Sequence, residues 1–103
     1  MKFVERWIQS TQTQLSDKEI MEKEKKWDAL EEKLGGFPKK RRYKPIFGKE
    51  ASSTFVWERE WNSLAEMEAA SAKYRQTPES AKMMDESPLA EQIHMELYYT
   101  LDD

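Results

Sequence analysis

Cysteine is absent from this chain of 103 residues, and histidine occurs once. Without a thiol there is no disulfide framework, no thiolate zinc site and no cysteine nucleophile. His94 alone gives no imidazole cluster to hold a metal within one chain, and no metal or cofactor is expected. Glycine is scarce as well, with three residues in all, and phosphate-cradling loops, nucleophile elbows and EF-hand loops are missing. No apolar run approaches the roughly 18 residues that a membrane span needs. No apolar stretch follows Met1-Lys2 to suggest a secretory leader. The chain therefore reads as a soluble, cytoplasmic protein.

What is present argues for a folded unit. Charged residues make up 36% and hydrophobic residues 38%, so the core is modest and the surface highly charged. Four Trp, four Tyr and four Phe are too many for a disordered polyelectrolyte. No repeat or composition break divides the chain, and residues 1–103 read as one domain.

Lys2 to Gln9 alternates, with Phe3, Glu5, Trp7 and Gln9 on one side and Val4, Arg6 and Ile8 on the other. That period is a strand's. After a polar loop, Ser10 to Leu15, Ser16 and Glu19 stand three apart as a capping box, which satisfies the orphan N–H groups of a helix start. Ile20, Trp27, Leu30 and Leu34 form the stripe of that helix, and Gly35-Gly36 ends it. Pro38 and the basic run Lys39–Arg42 lead to Tyr43, Ile46 and Phe47, where Pro45 permits only an edge strand or an irregular ribbon. Gly48 to Ser53 reads as a turn, and Thr54 to Asn62 as the clearest strand. Ser63 and Glu66 open a second helix with the stripe Leu64, Met67, Ser71 and Tyr74. Thr77-Pro78-Glu79 restarts a short helical piece, Ser87-Pro88 breaks it, and Ile93 to Leu101 alternates again as a strand. The order βαββαβ predicts an α+β, ferredoxin-like domain: a four-stranded antiparallel sheet with two main helices on one face.

Two helices cover one sheet face. With Val4, Ile8, Val56, Ile93, Met95 and Leu97 turned toward them, the other face carries Phe3, Trp7, Phe55, Trp57, Trp61 and Tyr98. So large an aromatic patch is rarely left to water. A second copy would bury it, which predicts a sheet-to-sheet homodimer. Glu5, Arg59, His94 and Glu96 fall on that face too, and Arg59 held between Glu5 and Glu96 would pair the charges within a partly polar cleft.

These features resemble the dimeric α+β barrel superfamily, and within it NIPSNAP-like proteins. The resemblance rests on Phe3-Val4-Glu5-Arg6-Trp7, on Phe55 to Glu66 at the strand-to-helix junction, on Thr77-Pro78-Glu79 and on Ser87-Pro88-Leu89. It implies sheets paired face to face, and relatives that include small monooxygenases and haem-degrading enzymes. NIPSNAP-type relatives often place a glutamate and an arginine two apart in the first strand, whereas Glu5 and Arg6 are adjacent here. Trp61 matches the cleft-facing tryptophan of the haem-degrading members. Those members take their axial histidine from the second helix, and Leu64 to Gln76 contains none. Haem chemistry is not expected.

The candidate ligand site is the set Glu5, Trp7, Trp57, Arg59, Trp61, His94, Glu96 and Tyr98. Arginine binds an anionic or carbonyl group bidentately, indoles stack on flat ligands, and His94 or Tyr98 supplies a hydrogen bond. No catalytic role is assigned to any of them. Their bland reading is a dimer core with a structural ion pair. The Lys39–Arg42 run is a short, local basic patch in a chain of net charge −3, and fits edge protection better than nucleic-acid binding. Two functions remain: a small-molecule binder using the cleft, or a structural or protein-interaction dimer. A cofactor-independent monooxygenase-like enzyme ranks behind both.

Overall fold

The computed structural model describes residues 1–10, 15–47, 54–85 and 92–102. Along them run β1 (Phe3–Ser10), α1 (Asp17–Leu34), β2 (Arg41–Tyr43), β3 (Thr54–Trp61), α2 (Leu64–Arg75), α3 (Pro78–Asp85) and β4 (Gln92–Tyr99). The piece after Thr77 is a third helix, of eight residues. The turn read at Gly48–Ser53, most of the loop Ser10–Leu15 and the break at Ser87-Pro88 lie outside the described residues.

Both helix starts form as their sequence signals require. Ser16 Oγ accepts from the Glu19 amide and the Glu19 carboxylate accepts from the Ser16 amide, a complete capping box. Ser63 Oγ accepts from the Glu66 amide at 3.1 Å. Helix α1 stops where Gly35 and Gly36 take φ of 77° and 89°, a region that side-chain-bearing residues avoid. Lys73 of α2 donates to the carbonyls of Leu34 and Gly35, at 3.1 and 2.7 Å, which ties α2 to the end of α1. The edge strand β2 is only three residues long and ends before Pro45, which has no N–H to extend a ladder.

The four strands are antiparallel, in the order β2-β3-β1-β4. In register, Glu5 lies opposite Arg59 on one side and Leu97 on the other, and Trp7 lies between Trp57 and Met95. Residues directly opposite share a face. Glu5, Trp7, Trp57, Arg59, Met95 and Leu97 therefore share one, while Arg6, Ile8, Glu58, His94, Glu96 and Tyr98 share the other.

The helices cover the aromatic face, which reverses the expected orientation of the sheet. Phe55 and Trp57 are buried in one cluster with Ile20 of α1, with Trp7 and Leu15 packed against it. Phe55 and Trp61 are 1% exposed. The physical reason lies on α1, whose buried positions are Ile20, Glu24, Leu30 and Glu31. Two glutamates on the inward stripe need cations beneath them, and the aromatic face carries Arg59 while the β2 edge brings Lys40 and Arg42. The aliphatic face of β1 and β3, with Val4, Ile8 and Val56 half-buried, is left on the open side of the sheet.

Candidate functional site

Between the sheet and the helices lies a cavity of about 240 Å³. Its floor is the strand pair Glu5–Arg59, and its walls include Trp7 and Trp57 from the sheet, Trp27 and Glu31 from α1, Tyr74 from α2, and Lys40. Trp7 and Trp57 stack with ring centres 5.8 Å apart and planes 14° from parallel. Trp27 meets the edge of Tyr74 at 5.9 Å.

The polar groups of the floor form one network. Arg59 Nε donates to Glu5 Oε1 at 2.9 Å and Arg59 Nη1 donates to Glu31 Oε2 at 3.0 Å. The indole of Trp61 donates to Glu5 Oε1 at 2.8 Å, and that of Trp7 to Glu5 Oε2 at 2.6 Å. Tyr74 donates its hydroxyl to Glu31 Oε2, and Lys40 Nζ stands 3.2 Å from the same oxygen. Arg59 lies 4.9 to 5.3 Å from the ring centres of Trp57, Phe37 and Trp61, and Lys40 lies 4.2 Å from that of Trp57. Faces of aromatic rings attract cations, so the rings supply part of what water would have given.

These contacts set the protonation states. Burial alone pushes the Glu5 carboxyl up. The Arg59 guanidinium and the two indole N–H groups outweigh it and hold Glu5 below the usual carboxylate range. Burial also opposes the charge on Arg59, but Glu5 and Glu31 raise it further above its ordinary value. For Lys40 burial wins: Glu31 and Glu24 pull its pKa back only in part, and it lies below the ordinary lysine value. Burial, then the bond to Glu31, pushes Tyr74 far up, so its hydroxyl remains a donor.

The predicted site residues divide between two faces. Glu5, Trp7, Trp57 and Arg59 line the cavity. Trp61 lies beneath it, fully buried, as a donor to Glu5. His94, Glu96 and Tyr98 stand on the opposite face of the sheet, where Glu96 accepts from Tyr98 and lies 3.3 Å from His94. The Tyr98 hydroxyl, and after it His94, hold the Glu96 carboxyl below its usual range. Arg59 is thus held between Glu5 and Glu31, and the expected partner Glu96 is on the wrong side of the sheet. The difference arises at β4, whose alternation leaves open which of its faces continues which face of β1: the register sets Met95 beside Trp7 and Glu96 beside Arg6. Glu24, Trp27, Glu31, Lys40 and Tyr74 were not among the predicted site residues.

No family model matches the chain, and no curated protein matches it. A solved structure does. The hydroxynitrile lyase from Passiflora edulis superposes with a TM-score of 0.66 at 15% identity, over 99% of this chain and 95% of that one. At that identity the likeness shows the fold: a small α+β protein built on a four-stranded antiparallel sheet.

Among the described residues no group of three His, Asp or Glu side chains is placed to hold a metal ion. No described helix is long and apolar enough to cross a membrane. What the cavity offers is an aromatic enclosure, a fixed carboxylate–guanidinium floor and an ammonium group at its wall.

Proposed function

We propose that this protein binds a small organic molecule between its sheet and its helices, as a ferredoxin-like member of the dimeric α+β barrel type. The observation that carries the reading is the cavity itself. About 240 Å³ of partly open space is lined by three tryptophans over a floor of paired charges. Ligand sites are typically concave, mostly apolar and equipped with a few convergent polar groups. Fold-level likeness to a lyase supports the architecture of the reading, and does not choose its ligand.

The homodimer and the NIPSNAP-like kinship belong to the same proposal. Because the helices cover the aromatic face, that face is not the dimer contact expected from the sequence, and we place the dimer at the open face instead, where half-buried Val4, Ile8 and Val56 alternate with the Arg6–Glu58 ion pair, 2.8 Å between nitrogen and oxygen. A second reading, that the cavity is catalytic, is favoured by one observation: two proton-bearing groups, Lys40 and Tyr74, converge on Glu31 at the cavity wall. The structural-dimer reading remains the alternative to both.

A fragment screen read by NMR on the indole N–H signals tests the proposal. Hits that shift Trp7, Trp27 and Trp57 together support it. Hits confined to other surfaces, with those three signals unmoved, overturn it.

A further inference from the structure

The charge inventory of the cavity restricts what can enter. Glu5 and Glu31 face Arg59 and Lys40, two charges of each sign, all buried. Glu24, the remaining carboxylate on the wall, is paired with Arg42 at 2.8 Å. Arg42 also reaches Asp28, whose side chain is 46% exposed and so partly screened by solvent. The lining is therefore balanced before any ligand arrives. An ion brought in would find no spare counter-charge, and a buried ion without one is strongly disfavoured.

The hydrogen-bond inventory of the ionised groups then ranks one ahead of the others, with the uncharged side chains of Gln9 and Ser71 also on the lining. Both oxygens of Glu5 are occupied by Arg59 and two indoles. Arg59 spends Nε and Nη1 on two carboxylates and lies among three rings, with Nη2 bonded to neither carboxylate. The Tyr74 hydroxyl is committed to Glu31. Lys40 is different. Among the described residues it has one ionic partner, Glu31, and one ring beneath it, Trp57. An ammonium carries three N–H donors, and a side chain only 4% exposed has few places to spend them. The cavity it lines is where they are available.

Volume sets the third limit. A cavity of about 150 Å³ already holds benzene, so about 240 Å³ admits one ring with a small substituent. Walls of indole favour a flat one.

We infer that the cavity selects an uncharged, planar aromatic compound bearing an acceptor oxygen of the amide or ketone type, with Lys40 as the donor to that oxygen. The inference rests on the ligand-binding reading above and narrows it to a chemical class.

Benzamide, benzoate and benzamidine test it, because they share one planar shape and differ in charge. Toluene serves as the apolar control. Each is titrated at neutral pH into the labelled protein while the indole N–H signals of Trp7, Trp27 and Trp57 are followed. Benzamide is expected to bind, with benzoate and benzamidine about tenfold weaker or more. In Lys40→Met, benzamide should weaken about tenfold while toluene is unchanged. The wild-type side-chain signal of Lys40 should also move with benzamide and not with toluene, a readout that does not depend on the variant folding. Toluene bound in the cavity, with benzoate or benzamidine tighter than benzamide, would overturn the inference and leave the binding reading standing. So would a Lys40→Met protein that binds benzamide as the wild type does. If none of the four probes reaches the three indoles, the binding reading falls and the inference with it.

Discussion

Arg59 Nη1 and Glu31 Oε2 lie 3.0 Å apart, joining the middle of β3 to the end of α1 across 28 positions of sequence. Both side chains are almost wholly buried, 4% and 7% exposed. Arg59 is also the partner of Glu5, so one guanidinium neutralises a carboxylate on the strand beside it and another on the helix above. The pairing fixes which sheet face the helix covers.

Removing that guanidinium should be costly. Arg59→Met keeps much of the side-chain volume but leaves Glu5 and Glu31 buried, with Lys40 the remaining cation of the cluster. Breaking a buried pair from one side typically costs about 3–5 kcal/mol. A urea titration should show that loss as a lower midpoint, and Arg59→Lys should recover only part of it because lysine lacks the planar fork. A midpoint for Arg59→Met within error of the wild type would show that the cluster contributes nothing.

Acid should expose the same cluster. The folded-state pKa of Glu5 lies below its ordinary 4.5. A depressed carboxyl contributes stability that is complete above the unfolded value and lost as pH falls through the folded one. The unfolding midpoint should therefore drop progressively below about pH 4.5. Glu5→Gln should be less stable at neutral pH, and its deficit should shrink in acid. A deficit of constant size at every pH would assign it to shape rather than charge.

Much of the fold was legible because its signals are local. Ser16 with Glu19, Gly35-Gly36 and the alternation of Thr54 to Trp61 each report on a few neighbouring residues, and each element formed where they pointed. Face assignment is different, since it depends on what a distant element brings. Glu24 and Glu31 stand seven apart, on the stripe that also holds Ile20 and Trp27, and two glutamates on an inward stripe are the sign that cations lie beneath. Reading only the apolar members of that stripe hid it. Lys40 sat in a basic run that looked like solvent-facing edge protection, although its side chain turns inward over Trp57. The pairing of β4 with β1 required the register, which alternation alone leaves open by one residue.

The start of α1 offers a test away from the site. Ser16 accepts from the Glu19 amide, and Glu19 returns the bond. Ser16→Ala should cost about 1 kcal/mol by thermal or urea unfolding, and Ser16→Asp should restore most of it. Equal stability of the alanine variant would mean that the first turn of α1 is held by packing instead.

The open face of the sheet yields the last prediction. Val4, Ile8 and Val56 sit there half-buried, Arg6 donates to Glu58 through Nε and Nη2 at 3.0 and 2.8 Å, and Tyr98 lies under the Arg6 guanidinium at 5.4 Å. Tyr43 adds its hydroxyl to Glu58 at 3.1 Å. Arg6 with Glu58 and Lys2 with Glu60 are already paired within the chain, and the further charges on this face, Arg41 and Glu96, are of opposite sign, so a second copy laid on it would meet aliphatic side chains with no excess of one sign to repel it. Two-fold association buries like against like in this way. Light scattering at micromolar concentration should give twice the chain mass of 12.3 kDa. Val56→Asp places an unpaired carboxylate in the middle of the contact and should give a monomer with an unchanged far-ultraviolet dichroism spectrum. Trp27→Phe, a change on the cavity side, should leave the mass alone. A wild-type protein that stays at 12.3 kDa removes the dimer from the proposal. A dimer that survives Val56→Asp moves it to another face, and the exposed Met95, Leu97 and Tyr99 of β4 are where it would be sought.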